Sequence, residues 1–401
     1  MSGRNPTSPV AGRVYLSTVC SMFSYAILVV VLPFRFESLG LSLVDYGLAL
    51  AIYALGMLVT EGLWGAAAFR LGRPRPLLAL GGAVGVVIVA IGLSRSFVEL
   101  ALTLGVYGGL VVFPVPLGRW LALTAGGPGT SGRGTGRYVF FFGIGLALGS
   151  ALGPALYATL GFFFVAMLSL AAFAASVVLL AFLPWERAGL PPRSAGLFAQ
   201  MPRVFTRHFA VCATLVSLAY LAFTMPSNFL QYYSVGLFHG TGAESGVVIG
   251  ALRATQMVAG FLLGSQVDRF GPSRSVPFGF LVLAAGAAGT FFAQTYGEMV
   301  LATLVFAVGS GWLFASFLPL ALEPVPADQQ GATVGIFGSF EDLGLLVGPI
   351  VISAVYSARG PEVVFLTVVA VTLVGAGIAA GARWIGLLGP QRLPSAPGSP
   401  R

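Results

Sequence analysis

Long apolar stretches follow one another along almost the whole chain, and each is close to the length that crosses a lipid bilayer. A transmembrane helix needs about 20 apolar residues. Twelve such stretches are bounded by charged residues, glycine or proline, at 14–36, 44–68, 76–94, 97–123, 138–158, 161–184, 209–235, 244–266, 276–293, 298–322, 332–356 and 362–382. The sequence therefore predicts an all-α integral membrane protein with twelve transmembrane helices.

The composition excludes a soluble globular protein. Only 8% of the 401 residues are charged and 57% are hydrophobic, whereas soluble domains carry about 25% charged residues. The 55 glycines and 32 phenylalanines suit closely packed membrane helices. Little of the chain is left for a soluble catalytic domain, so we expect no enzymatic activity.

Missing residue types exclude further chemistry. The sequence has no lysine, so neither a Walker A phosphate loop nor a Schiff-base lysine can form, and ATP-driven pumping by this chain is excluded. The two histidines, His208 and His239, and the two cysteines, Cys20 and Cys212, lack metal-ligand spacing. The sequence therefore predicts no metal site and no cofactor.

The arginines are distributed asymmetrically between the two sides of the membrane. If the N-terminus is cytoplasmic, seventeen arginines, Arg119 among them, fall in the even-numbered connections and the termini, and three fall on the opposite side (Arg35, Arg95 and Arg359). The positive-inside rule then places both termini in the cytoplasm of a cell-membrane protein. The net charge of +8 indicates this topology and attraction to anionic membrane lipid, not nucleic-acid binding.

The two halves of the sequence repeat each other. The polar segment 185–208 separates six stretches (14–184) from six stretches (209–382), with a short N-terminal segment (1–13) and a disordered tail (383–401) outside them. Equivalent glycines recur at offsets of 195 and 199 residues, and a Val-Cys pair recurs at an offset of 192. Duplication of a six-helix unit is one architecture of secondary transporters.

The repeated motifs resemble those of the major facilitator superfamily, from Val14 to about Ala382. The family's loop motif after the second helix of a half is matched after the eighth stretch, and the first-half copy has Phe69 in place of the acid. The resemblance implies a gating role for these residues: Gly65, Arg70, Gly72, Arg73, Gly264, Asp268, Arg269, Gly271 and Arg274.

A second motif resembles the antiporter branch of that superfamily. It is partial in the fifth stretch and fuller in the eleventh, and small residues followed by proline suit close packing and hinge bending. The alternative is ordinary close packing in a glycine-rich chain. The motif residues are Gly149, Gly153, Pro154, Gly335, Gly344, Gly348 and Pro349.

Four ionisable residues lie within the apolar stretches and are not adjacent to a loop, at a depth where charge is costly and indicates function. Glu61 and Glu341 lie about 12 to 14 Å from the cytoplasmic helix ends at 1.5 Å per residue, and Asp342 follows Glu341 directly. We predict that Glu61 exchanges protons together with Glu341 or Asp342; the alternative is that Glu341 and Asp342 hydrogen-bond nearby backbone. Arg253 could bind a carboxylate or an anionic substrate group, or else extend its side chain to the membrane surface.

The resemblance also implies a central cavity lined by the first, fourth, seventh and tenth helices. Polar and aromatic residues on these helices are candidates for substrate contact, with packing or lipid contact as the alternative. They are Tyr25, Tyr107, Tyr220, Phe223, Asn228, Gln231 and Trp312.

Together these features predict a secondary transporter that works by alternating access. We expect a monomer with small-molecule substrate, protons and membrane lipid as partners, and proton-coupled efflux of a small apolar or amphipathic compound. Uptake by symport or facilitated diffusion is the first alternative, and a lipid flippase or a non-transporting sensor is the second.

Overall fold

The computed structural model describes residues 9–71, 73–115, 118–119, 131–183, 204–326 and 329–388, and nearly all of these residues are helical. Ten of the described helices are long and apolar enough to cross a membrane, and Phe97–Val111 is a shorter apolar helix. This is the all-helical architecture that the apolar stretches predict.

The first half of the chain forms six spans. The first span consists of Pro9–Val29 and, after a short break, Leu32–Ser38. The fourth begins as Phe97–Val111, and residues 114–115 and 118–119 are also helical. The second and third spans are Leu43–Leu71 and Pro74–Leu93, and the fifth and sixth together form Ser131–Ala181.

The second half is more regular, with one helix for each of the seventh to twelfth spans. Proline or a capping residue begins most of these helices. In chain order they are Arg207–Gly236, Gly242–Phe270, Pro272–Phe292, Tyr296–Leu322, Gln330–Arg359 and Pro361–Trp384.

The helix Ser131–Ala181 makes two crossings. Its 51 residues would extend about 76 Å at 1.5 Å per residue, more than twice the thickness of the bilayer core, about 30 Å. Gly161 interrupts it with φ 81° and ψ 172°, a conformation that glycine adopts without steric cost. The chain therefore reverses at Gly161, where the sequence separates the apolar stretches 138–158 and 161–184.

Twelve crossings through the described part of the chain place residues 9 and 388 on the same side of the bundle. We call this the termini side and the opposite surface the far side. At four helix starts on the far side, an acidic residue pairs with a Ser or Thr three residues earlier: Asp45, Glu99, Glu244 and Glu298. These acids satisfy free backbone N–H groups at helix starts, so their role is local.

In each half, the first and the fifth of its six spans pack closely through a glycine. A side-chain carbon at Gly149 would lie 2.8 Å from the carbonyl oxygen of Phe23, between the fifth and first spans. At the equivalent Gly344 it would lie 2.9 Å from the amide nitrogen of Leu221, between the eleventh and seventh spans. Only glycine allows these backbones to approach so closely, and the repetition relates the two halves by pseudo-twofold symmetry.

The contacts between the halves follow the same symmetry. The second span packs against the eleventh, where a carbon at Gly47 would lie 3.0 Å from the carbonyl oxygen of Pro349. The fifth span packs against the eighth, where a carbon at Gly246 would lie 3.2 Å from the carbonyl oxygen of Ser150. These two pairs of spans form the seam that encloses the central cavity.

Candidate functional site

A cavity lies between the two halves, and spans from both of them line it. Methionine, valine, leucine and aromatic side chains form most of the wall. Its charged residues are Glu61, Arg119, Arg253, Glu341 and Asp342. The cavity is therefore mostly apolar, with a few charges at defined positions, as in sites for small organic molecules.

Aromatic side chains join the halves at the far side of the cavity. The ring of Tyr46, near the start of the second span, lies 5.7 Å from the ring of Phe229 and 6.1 Å from that of Tyr232, both on the seventh span. Phe36 packs against the same tyrosine at 5.6 Å. These contacts hold the far-side ends of the two halves together in this conformation.

Arg119 connects carboxylates from both halves. Its Nη1 donates a hydrogen bond to Oε1 of Glu61 at 3.1 Å, and its Nη2 donates to Oε2 of Glu341. Glu61 is on the second span and is 2% exposed, and Glu341 is on the eleventh and is 8% exposed. The guanidinium therefore links the first half to the second through a buried, charge-assisted pair of bonds.

A third acid adjoins this ion-pair cluster. Asp342 is 1% exposed and interacts electrostatically with Glu61, Glu341 and Arg119. Its Oδ2 has no hydrogen-bond partner in the described part of the chain. The consecutive acids thus use different partners, since Glu341 bonds to Arg119 while Asp342 lies beside Glu61.

Two tyrosines complete the surroundings of the cluster. The Tyr220 hydroxyl and Glu341 form a hydrogen bond, and so do Tyr138 and Arg119. The Tyr220 hydroxyl therefore bonds to a carboxyl of the cluster, and the Tyr138 hydroxyl bonds to its guanidinium. Because buried net charge is costly, such an arrangement can take up protons and release them when water enters.

The assignment of Arg119 to a cytoplasmic connection was wrong. The structure places its side chain against two buried carboxylates, and only 11% of it is exposed. Counting arginines by their position in the sequence cannot detect a partner 222 residues away. The available signal was that Arg119 falls inside the apolar stretch 97–123, where a charge indicates function.

Arg253 occupies a different part of the cavity wall. It is 8% exposed, and its guanidinium lies over the ring of Phe223 at 4.6 Å from the centroid. It forms no ion pair with any described residue. The charge is therefore held by a cation–π contact, without a carboxylate partner.

The other predicted cavity residues divide into three groups. Tyr25, Tyr220 and Phe223 line the cavity. Tyr107 and Trp312 are not among the lining residues, and the ring of Tyr107 lies 6.0 Å from that of Tyr53, which does line it. The side chains of Asn228 and Gln231 lie outside the described residues.

The loop-motif residues cluster at the termini-side end of the eighth span. Gly264 is buried, and Gly271 ends the helix with φ 85°. Asp268 is half-buried, while Arg269 is exposed and lies 5.7 Å over the Phe270 ring. The other two described arginines of the motif, Arg73 and Arg274, are exposed. The side chains of Gly65 and Arg70, and the whole of Gly72, lie outside the described residues.

The glycines of the antiporter-type motif lie at the contacts between spans. In the fifth span, Gly153 faces Val30 and Pro154 faces Gly246 of the other half. In the eleventh span, Gly348 faces Thr224. Gly149, Gly344 and Pro349 lie at the contacts described above, and Gly335 is buried. These positions require small residues for packing, and a hinge function remains a prediction.

Comparisons with known proteins agree on one family. The family model of the Major Facilitator Superfamily matches residues 14–239 and 209–400. The multidrug resistance protein MdtG of Serratia proteamaculans is 24% identical over 371 residues, which cover 88% of each chain. An uncharacterized MFS-type transporter of Mycobacterium tuberculosis, Rv1250, is 30% identical over 117 residues, which are 29% of this chain and 20% of that protein.

The fold comparison points the same way. The crystal structure of the human organic anion transporter MFSD10 superposes on this chain with a TM-score of 0.73 at 16% sequence identity. The superposition includes 94% of this chain and 100% of the MFSD10 chain. Sequence and fold thus identify a multi-pass membrane transporter, not an enzyme. The chain belongs to the Major Facilitator Superfamily.

Proposed function

We propose that the protein exports small apolar or amphipathic organic compounds in exchange for protons, by alternating access between its two halves. The observation that carries this proposal is the buried cluster of Glu61, Arg119, Glu341 and Asp342, which bridges the halves on the cavity wall. One site thereby combines proton-binding groups with a contact that must break when the halves separate.

The charge balance of the cluster supports proton coupling. Three carboxyls and one guanidinium are neutral together only when two carboxyls carry protons. Separation of the halves on the termini side breaks the Arg119–Glu341 bond and admits water, which favours ionised carboxyls. Proton occupancy then biases the equilibrium between the two conformations, because each protonation state favours one of them.

The cavity wall supports an organic substrate. Apolar and aromatic side chains predominate, so apolar surface of the substrate provides most of the binding free energy and the few polar groups provide orientation. The similarity to a protein named for multidrug resistance, which extends over 88% of the chain, supports export.

The exposed arginines support cytoplasmic termini in the cell membrane. On the termini side, seven described arginines are exposed: Arg13, Arg73, Arg75, Arg207, Arg269, Arg274 and Arg383. On the far side, Arg95 and Arg359 are exposed. This asymmetry follows the positive-inside rule, so the far side is assigned to the exterior.

Transport in proteoliposomes tests the proposal. With cationic, neutral and anionic fluorescent dyes as probes, ethidium among the cations, a pH gradient should drive dye movement against the direction of proton flow. Addition of dye should itself release protons, measured with a pH-sensitive fluorophore inside the vesicles. Three results would contradict export coupled to protons. They are dye movement independent of the pH gradient, dye movement in the same direction as protons, and failure of every dye to move.

Gly338 allows a separate test of the role of Glu61. A methyl group at Gly338 would collide with the Glu61 carboxylate, the flexible end of a side chain. In Gly338→Ala we expect that carboxylate to move away from Arg119, with at least tenfold slower dye-driven proton release and little change in melting temperature. Gly377→Ala is the matched control, because open space surrounds Gly377. Unchanged proton release in Gly338→Ala would show that the Glu61–Arg119 contact is unimportant for coupling.

A further inference from the structure

Two buried nitrogen donors on the cavity wall have no acceptor in the described part of the chain. They are Nε of Arg253 and Nε2 of Gln256. The two residues lie three positions apart on the eighth span, hence on one helix face, and both line the cavity. Arg253 is 8% exposed and Gln256 is 4% exposed, so water at the protein surface does not satisfy these groups.

The two cavity arginines differ in their partners. Arg119 is matched with two carboxylates, whereas Arg253 lies over the Phe223 ring and forms no ion pair with a carboxylate in the described part of the chain. Tyr25 interacts electrostatically with both Arg253 and Asp342, yet no ion pair joins those two residues. A buried cation without a counter-charge is costly, and an anion placed at its free donors would remove that cost.

An aromatic surface adjoins these donors. The ring of Phe314 lies 4.9 Å from that of Tyr220 and 5.3 Å from that of Phe223, and all three side chains line the cavity. A ligand that carries an aromatic ring and an acidic group therefore finds apolar contact and donors side by side.

We propose that Arg253 and Gln256 bind the anionic group of the substrate, so that the preferred cargo is an aromatic or amphipathic organic anion, such as an aryl carboxylate. This inference rests on the proposed function, because it specifies the cargo of the same cavity. An apolar cavity alone does not predict a preference for charged substrates. The anion site predicts that a carboxylate binds more tightly than its neutral isostere.

Binding of matched compounds to the purified full-length protein tests this inference. Naphthylacetate and naphthylacetamide share the ring, and a neutral amide of similar size replaces the carboxylate in the second compound. By equilibrium dialysis, we expect the carboxylate to bind wild type at least tenfold more tightly than the amide. Arg253→Gln should remove this preference, and Arg359→Gln, which removes an exposed arginine, should keep it. Gln256→Met, with a side chain of similar size, should weaken carboxylate binding about threefold without affecting the amide.

Several results would overturn the inference: equal binding of the two compounds, tighter binding of the amide, no binding of the carboxylate, or a preference that survives in Arg253→Gln. Melting temperatures identify a variant that fails to fold, and Gln256→Met then carries the test. Dye-driven proton release in the same preparation separates the two proposals. Intact coupled export without carboxylate preference refutes only the anion site, and carboxylate preference without coupled export refutes only the proposed function.

Discussion

Replacement of Arg119 by glutamine is expected to abolish proton-coupled transport and to destabilise the protein by about 3–5 kcal/mol, the cost of removing one partner from a buried ion pair. Arg119 supplies the only guanidinium bonded to Glu61 and Glu341 among the described residues. Without it, three buried carboxyls share no cation, and the bond between the halves is lost. Proton release in proteoliposomes and the melting temperature of the purified protein measure the two effects.

A double substitution separates the electrostatic effect from loss of packing. In Arg119→Gln with Glu341→Gln, a buried carboxyl without its cation is replaced by a neutral amide. The double variant should therefore be more stable than Arg119→Gln alone, whereas its proton coupling should remain absent. Stability effects of the two substitutions that do not add indicate a direct interaction between the two residues. Arg359→Gln again serves as the exposed control. Normal coupled flux in Arg119→Gln would refute the assignment of this cluster to coupling.

Asp342→Asn is expected to uncouple transport from protons with little loss of stability. The amide has almost the same shape as the carboxyl but cannot gain or lose a proton. Arg119 forms its ion pairs with Glu61 and Glu341, and Oδ2 of Asp342 has no hydrogen-bond partner among the described residues, so the substitution leaves the Arg119 bonds in place. Dye-driven proton release should fall at least tenfold, while exchange of labelled substrate across the membrane at equal pH should continue.

Glu37→Gln is the matched control for this experiment, because Glu37 is an exposed acid at the far-side end of the first span. Retention of full proton release in Asp342→Asn would exclude Asp342 as the proton carrier. Loss of substrate exchange together with proton release would instead indicate that the residue supports the cavity itself.

Much of the candidate site could be located from the sequence. Glu61, Glu341 and Asp342 stand out because charged residues in apolar stretches are rare, and the structure brings all three to one place. Arg253 stands out for the same reason. Tyr107 and Trp312 were selected by helix alone, and because helix membership does not fix which face a side chain occupies, the structure places them outside the cavity lining.

The sequence by itself determined the number of spans, the division between the fifth and sixth spans near Gly161, and the membrane location. These depend on local properties: the length of each apolar stretch, the conformational freedom of glycine and the cost of charge in lipid. Only the tertiary structure decided that Arg119 bonds to Glu61 and Glu341 while Arg253 has no carboxylate partner. Such pairing depends on distances between residues far apart in the chain, and the packing of the two halves fixes those distances.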